Sequence, residues 1–329
     1  MNPLDKFIFL FVFIFPSLTF CQLTVNSEPL VTTYSIVARD SITGEMGVAV
    51  QSHWFSVGSL VAYGKAGVGV VATQSFVNPS YGPKGLALME QGLSSKQALD
   101  ALIANDSGKD YRQVAFLDVN GNISTHTGVL CIEEAGHKVG KNFSVQANMM
   151  LNNTVWDAMA KAFEGEKGPL EVKMLAALNA AENEKGDIRG KQSAAILIVK
   201  GKSSGNSWED TVMDLRVEDS KDPLTELERL VKVHKAYEYM NNGDLAMEKG
   251  DSKEAESLYL KAQNLFPENL EMKYWYAINL LNNKEYEKGK ELLKEIFKKD
   301  NNWRLLTSRL VKNKLLVLSE NQLSEVLAL

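Results

Sequence analysis

The chain has 329 residues, with 36 Lys and Arg against 41 Asp and Glu, a net charge of −5 and 45% hydrophobic residues. That length has room for two domains with their own cores. The acidic balance and the lack of a basic block argue against a nucleic-acid partner, because phosphate binding draws on clustered Lys and Arg.

Residues 1–21 stand apart. Lys6 is the basic residue of the "MNPLDK" lead; "FIFLFVFIF" follows, then Pro16 and "SLTFCQ". A charged lead, a short apolar run and small residues after it predict a secretory signal peptide cut after Cys21. The run is too short for a permanent membrane span. The alternative is a lipid anchor on Cys21, although Phe20 is large for the position before such a cysteine. Residues 22–32, "QLTVNSEPLVT", are then a leader segment. Without Cys21, Cys131 has no partner for an intramolecular disulfide. Its "GVLCIEE" setting predicts a strand and a buried, inert thiol.

From Thr33 to Val217 the chain mixes strand and helix patterns. "TYSIVARD" and "EMGVAVQS" alternate as strands do, around a turn with Gly44. "AGVGVVATQS" predicts a strand buried on both faces. "GPKGLALMEQGLSSKQALDALIAND" changes period and predicts two helices broken near Gly92, the second capped by Ser94 or Ser95. "YRQVAFLDVNGNISTHTG" predicts a hairpin turning at Asn120-Gly121. Its "DVNGN" looks like the start of a calcium loop but lacks the later acidic ligands, so the turn is preferred. "FSVQANMML" predicts another strand, "NTVWDAMAKAFE" and "GPLEVKMLAALNAAE" two helices, and Ala194–Lys200 and "TVMDLRVED" two last strands. Strands in groups, with helix pairs between them, argue for antiparallel sheets layered with helices.

From Asp222 to Leu329 the pattern is helical throughout. "NGDLAMEKGDSKEAESLYLKAQNLFPEN" places Gly243, Gly250, Ala255, Tyr259, Ala262 and Pro267 at gaps similar to the roughly 34-residue tetratricopeptide pattern. Ala255 and Ala262 let two antiparallel helices approach, Tyr259 fills the space between them, and Pro267 ends the second. The next repeat places Ala277, Gly289, Leu293 and Ile296 at matching positions. Residues 236–301 therefore read as two repeats, with a helical cap to 329. Such stacks imply a peptide or protein partner in a concave face.

Thr33 raises a chemical question. A hydroxyl is a weak nucleophile until a base takes its proton. A threonine that is itself the first residue carries that base, its α-amine, with a pKa of about 7.7–8.0. Amide donors for the oxyanion and a nearby cation complete such a site. Lys65 in "AYGKAGVG" is a candidate cation at the start of a buried strand. Asp187 lies in a glycine-bounded loop with Arg189, Gln192 and Ser193. Gln74, Gln146 and Asn148 fall at strand ends, and Ser35 projects on the same side as Thr33. His53, His126, His137 and His234 show no metal-ligand spacing; His137, in "AGHKVG", could line a site, but a loop histidine is the preferred reading.

Together, "TYSIVARD", "GVAVQS", "AGVGVVATQS" with "VNPSYGPKGL", "QANMML" and "GDIRGKQSAAILIV" resemble the bacterial family known as domain of unknown function 1028, grouped with the N-terminal nucleophile (Ntn) hydrolases. The resemblance runs from Thr33 to about Val217. It implies a fold of class α+β, a four-layer αββα Ntn-hydrolase-like sandwich, here followed by an all-α tetratricopeptide-like domain. It also implies hydrolysis of an amide or peptide bond, with no cofactor and no metal. Under this reading Thr33 attacks, its amine is the base, Lys65 tunes the pair, and Asp187 with Ser193 orients it. Ser35, Gln74, Asn78, Gln146, Asn148, Arg189 and Gln192 are the expected substrate-binding residues. The Thr33–Lys65 spacing is similar to that of nucleophile and lysine in proteasome β subunits, whose aspartate after the second strand has no clear equivalent here. Signal cleavage leaves Gln22 in front, so a second cut between Thr32 and Thr33 is needed, and Thr32 is not the glycine common before such a bond.

The expected organisation is a signal peptide over 1–21, a leader over 22–32, a hydrolase-like domain over 33–217 and a helical domain over 222–329. The expected location is secreted or periplasmic. "DLRVEDSKDPLTELERLVKVHK" resembles the start of a region linked in the family to cell-wall binding, so peptidoglycan or a peptide from it is the expected substrate. A homo-oligomer is expected from superfamily relatives. The competing reading is a catalytically inactive secreted scaffold that binds through its helices.

Overall fold

The computed structural model describes residues 29–329; the predicted signal peptide, Cys21 and the front of the leader lie outside the described residues. The first half of the chain forms two antiparallel sheets. Strands β2 (Tyr34–Arg39) and β3 (Met46–Ser52) pair as the alternation predicts. With β8 (Gly136–Gly140), β9 (Phe143–Ala147), β10 (Ser193–Val199) and β11 (Thr211–Val217) they give a six-stranded sheet in the order β11-β10-β3-β2-β9-β8. The second sheet contains β1 (Leu30–Val31), β4 (Ala62–Lys65), β5 (Gly69–Phe76), β6 (Arg112–Asp118) and β7 (Ile123–Thr127), in the order β1-β5-β6-β7 with β4 also on β5. A short helix, α1 (Gly58–Val61), leads into β4.

The sheets meet face to face. Val37, Val48 and Val50 of one pack with Val70, Ala72, Ala115 and Leu117 of the other. The opposite phase of each strand faces helices. Ile36, Ala38 and Ala49 lie under α4 (Val155–Gly165) and α5 (Leu170–Asn183), with Met159, Met174 and Leu178 in the same core. Val71, Val114 and Phe116 lie under α2 (Tyr81–Glu90) and α3 (Ser95–Ala104). The result is the four-layer αββα sandwich. Ser94 caps α3 in a reciprocal pair with Gln97, and the β6–β7 hairpin turns at Gly121, whose φ of 84° suits a residue without Cβ.

Charge is buried where β6 begins. Arg112, 1% exposed, donates from Nε to Asp106 Oδ2 at 2.8 Å and from Nη1 to the Phe76 carbonyl at 2.7 Å. Burial alone would raise the Asp106 carboxyl, but hydrogen bonds from Arg112, Gly108 and Tyr81 hold it below the usual range. A depressed carboxylate pKa adds stability that is present above the unfolded value of about 3.9 and is lost as pH falls through the folded value. Asp106→Asn is therefore expected to destabilise the protein at pH 7 and to cost progressively less below about pH 4. Urea titrations at pH 7 and pH 3 measure this; an equal loss at both would rule the carboxylate out as the cause.

Helix α6 (Pro223–Glu248) is 26 residues long and belongs to two cores. Its Leu224, Leu227 and Val231 complete the layer under the six-stranded sheet, while Ala236, Met240 and Ala246 pack into the helical half. There α6 pairs with α7 (Ser252–Leu265), α8 (Leu270–Asn282) with α9 (Tyr286–Lys299), and α10 (Asn302–Lys312) with α11 (Glu320–Leu327). A Cβ on Gly243 would stand 2.9 Å from the Tyr259 ring, so α6 approaches α7 closely where the repeat pattern places its small residue. Among the described residues no helix is long and apolar enough to cross a membrane.

Candidate functional site around Thr33

The leader enters the fold as a strand. Leu30 and Val31 pair with Phe76 and Ser75 at the end of β5, and the Val77 amide donates to the Pro29 carbonyl at 2.9 Å. The chain then crosses at Thr32 and Thr33 to the other sheet and continues as β2. Thr33 thus stands just before an inner strand, flanked by β3 and β9. It is fully buried, and its Oγ1 donates to the Val31 carbonyl at 3.0 Å.

The carbonyl before Thr33 is held from two sides. Ser52 Oγ and Arg189 Nη2 both donate to Thr32 O, the latter at 3.2 Å. Asp187 aims the guanidinium: its Oδ1 accepts from Arg189 N at 2.9 Å and Nε at 3.0 Å, and its Oδ2 from Nη2 at 2.7 Å. The Asp187 side chain is 0% exposed and also accepts from the His53 amide. Hydroxyl, polarised carbonyl and oriented cation therefore share the Thr32–Thr33 junction.

Below it lies an uncharged polar layer between the sheets. Ser35 Oγ donates to Gln74 Oε1 at 2.7 Å and accepts from Gln146 Nε2 at 2.5 Å. Gln74 Nε2 donates to Gln113 Oε1 at 2.7 Å and to Thr33 O at 3.2 Å. The Asn148 amide donates to the same carbonyl at 3.1 Å, and its Nδ2 to Gln113 Oε1 at 2.9 Å. Gln113 Nε2 reaches Thr127 Oγ1 at 3.0 Å, which lies 2.8 Å from His137 Nδ1. Burial and the nearby His126 lower the His137 pKa. Thr32 Oγ1, both amide atoms of Gln51, Ser75 Oγ and Asn148 Oδ1 are buried without a protein partner. Ser75 and Met149 hold φ values of 71° and 57°, a left-handed backbone that costs such residues of order 1 kcal/mol or more. Uncommitted polar atoms thus occur on the strands and turns that flank Thr33.

The expected residues divide accordingly. Ser35, Gln74, Gln146, Asn148, Asp187 and Arg189 gather around Thr33. Lys65 does not: it pairs with Gly69 at the other end of β5, about 20 Å along the strand from Ser75. Its half-exposed ammonium meets Glu90 at 2.6 Å instead of pointing between the sheets. Ser193 stands opposite Ser52 but bonds the Trp54 carbonyl and the Val57 amide, so it shapes the loop after β3. Asn78 closes a turn on the Ser80 amide, and Gln192 meets Asp219 near the surface. Cys131 sits in a turn, not a strand; burial pushes its thiol pKa up, as an inert thiol requires. His137 lies in β8, not in a loop. Sequence reasoning missed Ser52 and Gln113. Gln113 had a signal: it shares the inward phase of β6 with Ala115 and Leu117, where a polar side chain is out of pattern.

The model of a family of unknown function, DUF1028, matches residues 33–227, more than half of the chain. The chain belongs to this family. A crystal structure of a DUF1028 protein from Silicibacter pomeroyi is 30% identical, with 61% of this chain and 88% of that one covered and a TM-score of 0.55. Anbu, an ancestral β-subunit from Yersinia bercovieri, aligns at 13% identity over 61% of this chain and 96% of its own, with a TM-score of 0.31. A tetratricopeptide repeat model matches residues 246–310. No curated protein matches the chain. In this DUF1028 member, no group of three or more His, Cys, Asp and Glu among the described residues is placed to hold a metal.

Proposed function

We propose that the protein is an exported N-terminal-nucleophile hydrolase of an amide or peptide bond, latent until the bond between Thr32 and Thr33 is cut. The observation that carries the reading is the pair of donors, Ser52 Oγ and Arg189 Nη2, on the carbonyl next to the Thr33 hydroxyl. Attack of Oγ1 on the Thr32 carbonyl carbon places negative charge on the oxygen those donors hold. Collapse breaks the C–N bond, and the hydroxyl proton passes to the departing nitrogen. Water then hydrolyses the resulting ester to a Thr32 carboxylate and a free Thr33 hydroxyl. The new α-amine, close to its pKa at neutral pH, is the base for later turnovers. Asp187 is a positioning residue that acts through Arg189. Tetratricopeptide repeats generally mediate protein–protein interaction, so the helical half brings a peptide or protein partner. Cell-wall peptides remain the substrate suggested by the resemblance.

Intact mass and N-terminal sequencing of exported protein test this. A start at Thr33 is the expected result. A second reading rests on the burial of Thr33 beneath a leader whose Val31 is part of the core. In that reading the leader is permanent, the sandwich is an inactive scaffold, and the exported chain starts at Gln22.

A further inference from the structure

Residues Pro29–Thr32 are seated as a ligand would be. β4 covers the edge of β5 only from Gly69 to Ala72. Beyond Thr73 the edge is completed by the two residues of β1, in register Leu30↔Phe76 and Val31↔Ser75. The Val77 amide reaches the Pro29 carbonyl, and Ser52 with Arg189 reaches the Thr32 carbonyl. Each of these bonds goes to the leader's main chain, so an extended peptide of another sequence can repeat them. The side chains differ in depth. Val31 is 0% exposed and packs with Val57, Val61 and Val77 between the sheets, while Leu30 is only half-buried. Release of the leader would uncover an unpaired strand edge and an apolar pocket of valine size, and such edges accept another strand.

We propose that this edge is the acyl-side substrate site of the processed protein. It takes an extended peptide antiparallel to β5, with a small, β-branched apolar side chain in the second position before the bond that is cut, and Arg189 holds the carboxylate that cutting creates. The inference rests on the hydrolase reading above and adds a substrate class to it. The leader is then the first substrate and, once cut, a product whose new carboxylate faces a guanidinium. Charge-assisted bonds of that kind are stronger than the neutral one to a peptide carbonyl, so the freed leader competes with incoming substrate.

Acetyl-Pro-Leu-Val-Thr with a free carboxylate is the probe, titrated by calorimetry into protein that begins at Thr33 and keeps the thermal transition of the full chain. Binding is expected. It should weaken at least about tenfold when aspartate replaces the probe's valine, and several-fold when the terminal carboxylate becomes an amide. No binding, or equal binding by the aspartate probe, overturns the proposal; equal binding by the amide overturns the role given to Arg189. Should the shortened chain not fold, hydrogen exchange on the full chain decides. Val31→Ala should speed exchange of the Val77 amide, and added probe should slow it again; no response to the probe overturns the proposal. The same peptide extended past its threonine separates the two readings. If it binds without being cut, the hydrolase reading fails and the strand-edge site stands.

Discussion

Thr33→Ala protein is expected to leave the host uncut at residue 32, with release of the leader slowed by at least about 10³-fold, as removal of a nucleophile does in other hydrolases. The fold should survive. The substitution removes one hydrogen bond, from Oγ1 to the Val31 carbonyl, worth about 1 kcal/mol. Thr33→Ser keeps a hydroxyl on the same strand and should still be cut, more slowly where the lost methyl loosens the rotamer. Time-resolved intact mass on the two variants gives the answer. Alanine protein cut between Thr32 and Thr33 at the native rate would mean that another protease does the work, and the Thr33 hydroxyl would lose its part in release.

Arg189→Met should have the largest effect on stability near the site. It leaves the Asp187 carboxylate fully buried without its cation, a situation that costs roughly 3–5 kcal/mol. The Arg189 and His53 amides still donate to that carboxylate, and the guanidinium is 28% exposed, so the lower end of the range is expected. For a domain of this size that is a fall in Tm on the order of 10 °C. Pairing it with Asp187→Asn should recover much of the loss, because the stranded charge is then gone. Release of the leader should stay slow in the double variant, since nothing cationic holds the Thr32 oxygen. Recovery of stability together with recovery of release would show that the ion pair serves the fold alone. Thermal melts and intact mass on the three proteins separate these outcomes.

The fold was largely legible because its signals are local. Alternation in "TYSIVARD" and "GVAVQS", the Asn120-Gly121 turn and the serine cap at Ser94 each need only a few neighbouring residues, and each appears where expected. The spacing of Gly243, Ala255 and Tyr259 is equally local, and it gave the repeat region. The site was less legible because register across sheets decides it. Lys65 has a suggestive separation from Thr33 along the chain, but the pairing of β4 with β5 carries it to the opposite end of the sandwich. Gln113 reaches Thr33's neighbourhood from a strand far away in sequence and Ser52 from the far end of the β2–β3 hairpin; both stand as polar residues in an apolar phase, Ser52 after Val48 and Val50, Gln113 before Ala115 and Leu117. Strand β1 was invisible for another reason: two residues are too short to show a period.

The shared α6 has a mechanical consequence. A helix of 26 residues runs about 39 Å as one rod, and its two ends are gripped by different hydrophobic cores. A molecule bound to the repeats would therefore be held at a constant bearing to the sandwich, without a swivel between them. Severing the chain at residue 222 to study either half would strip Leu224, Leu227 and Val231 from beneath the six-stranded sheet and leave a greasy trough along it.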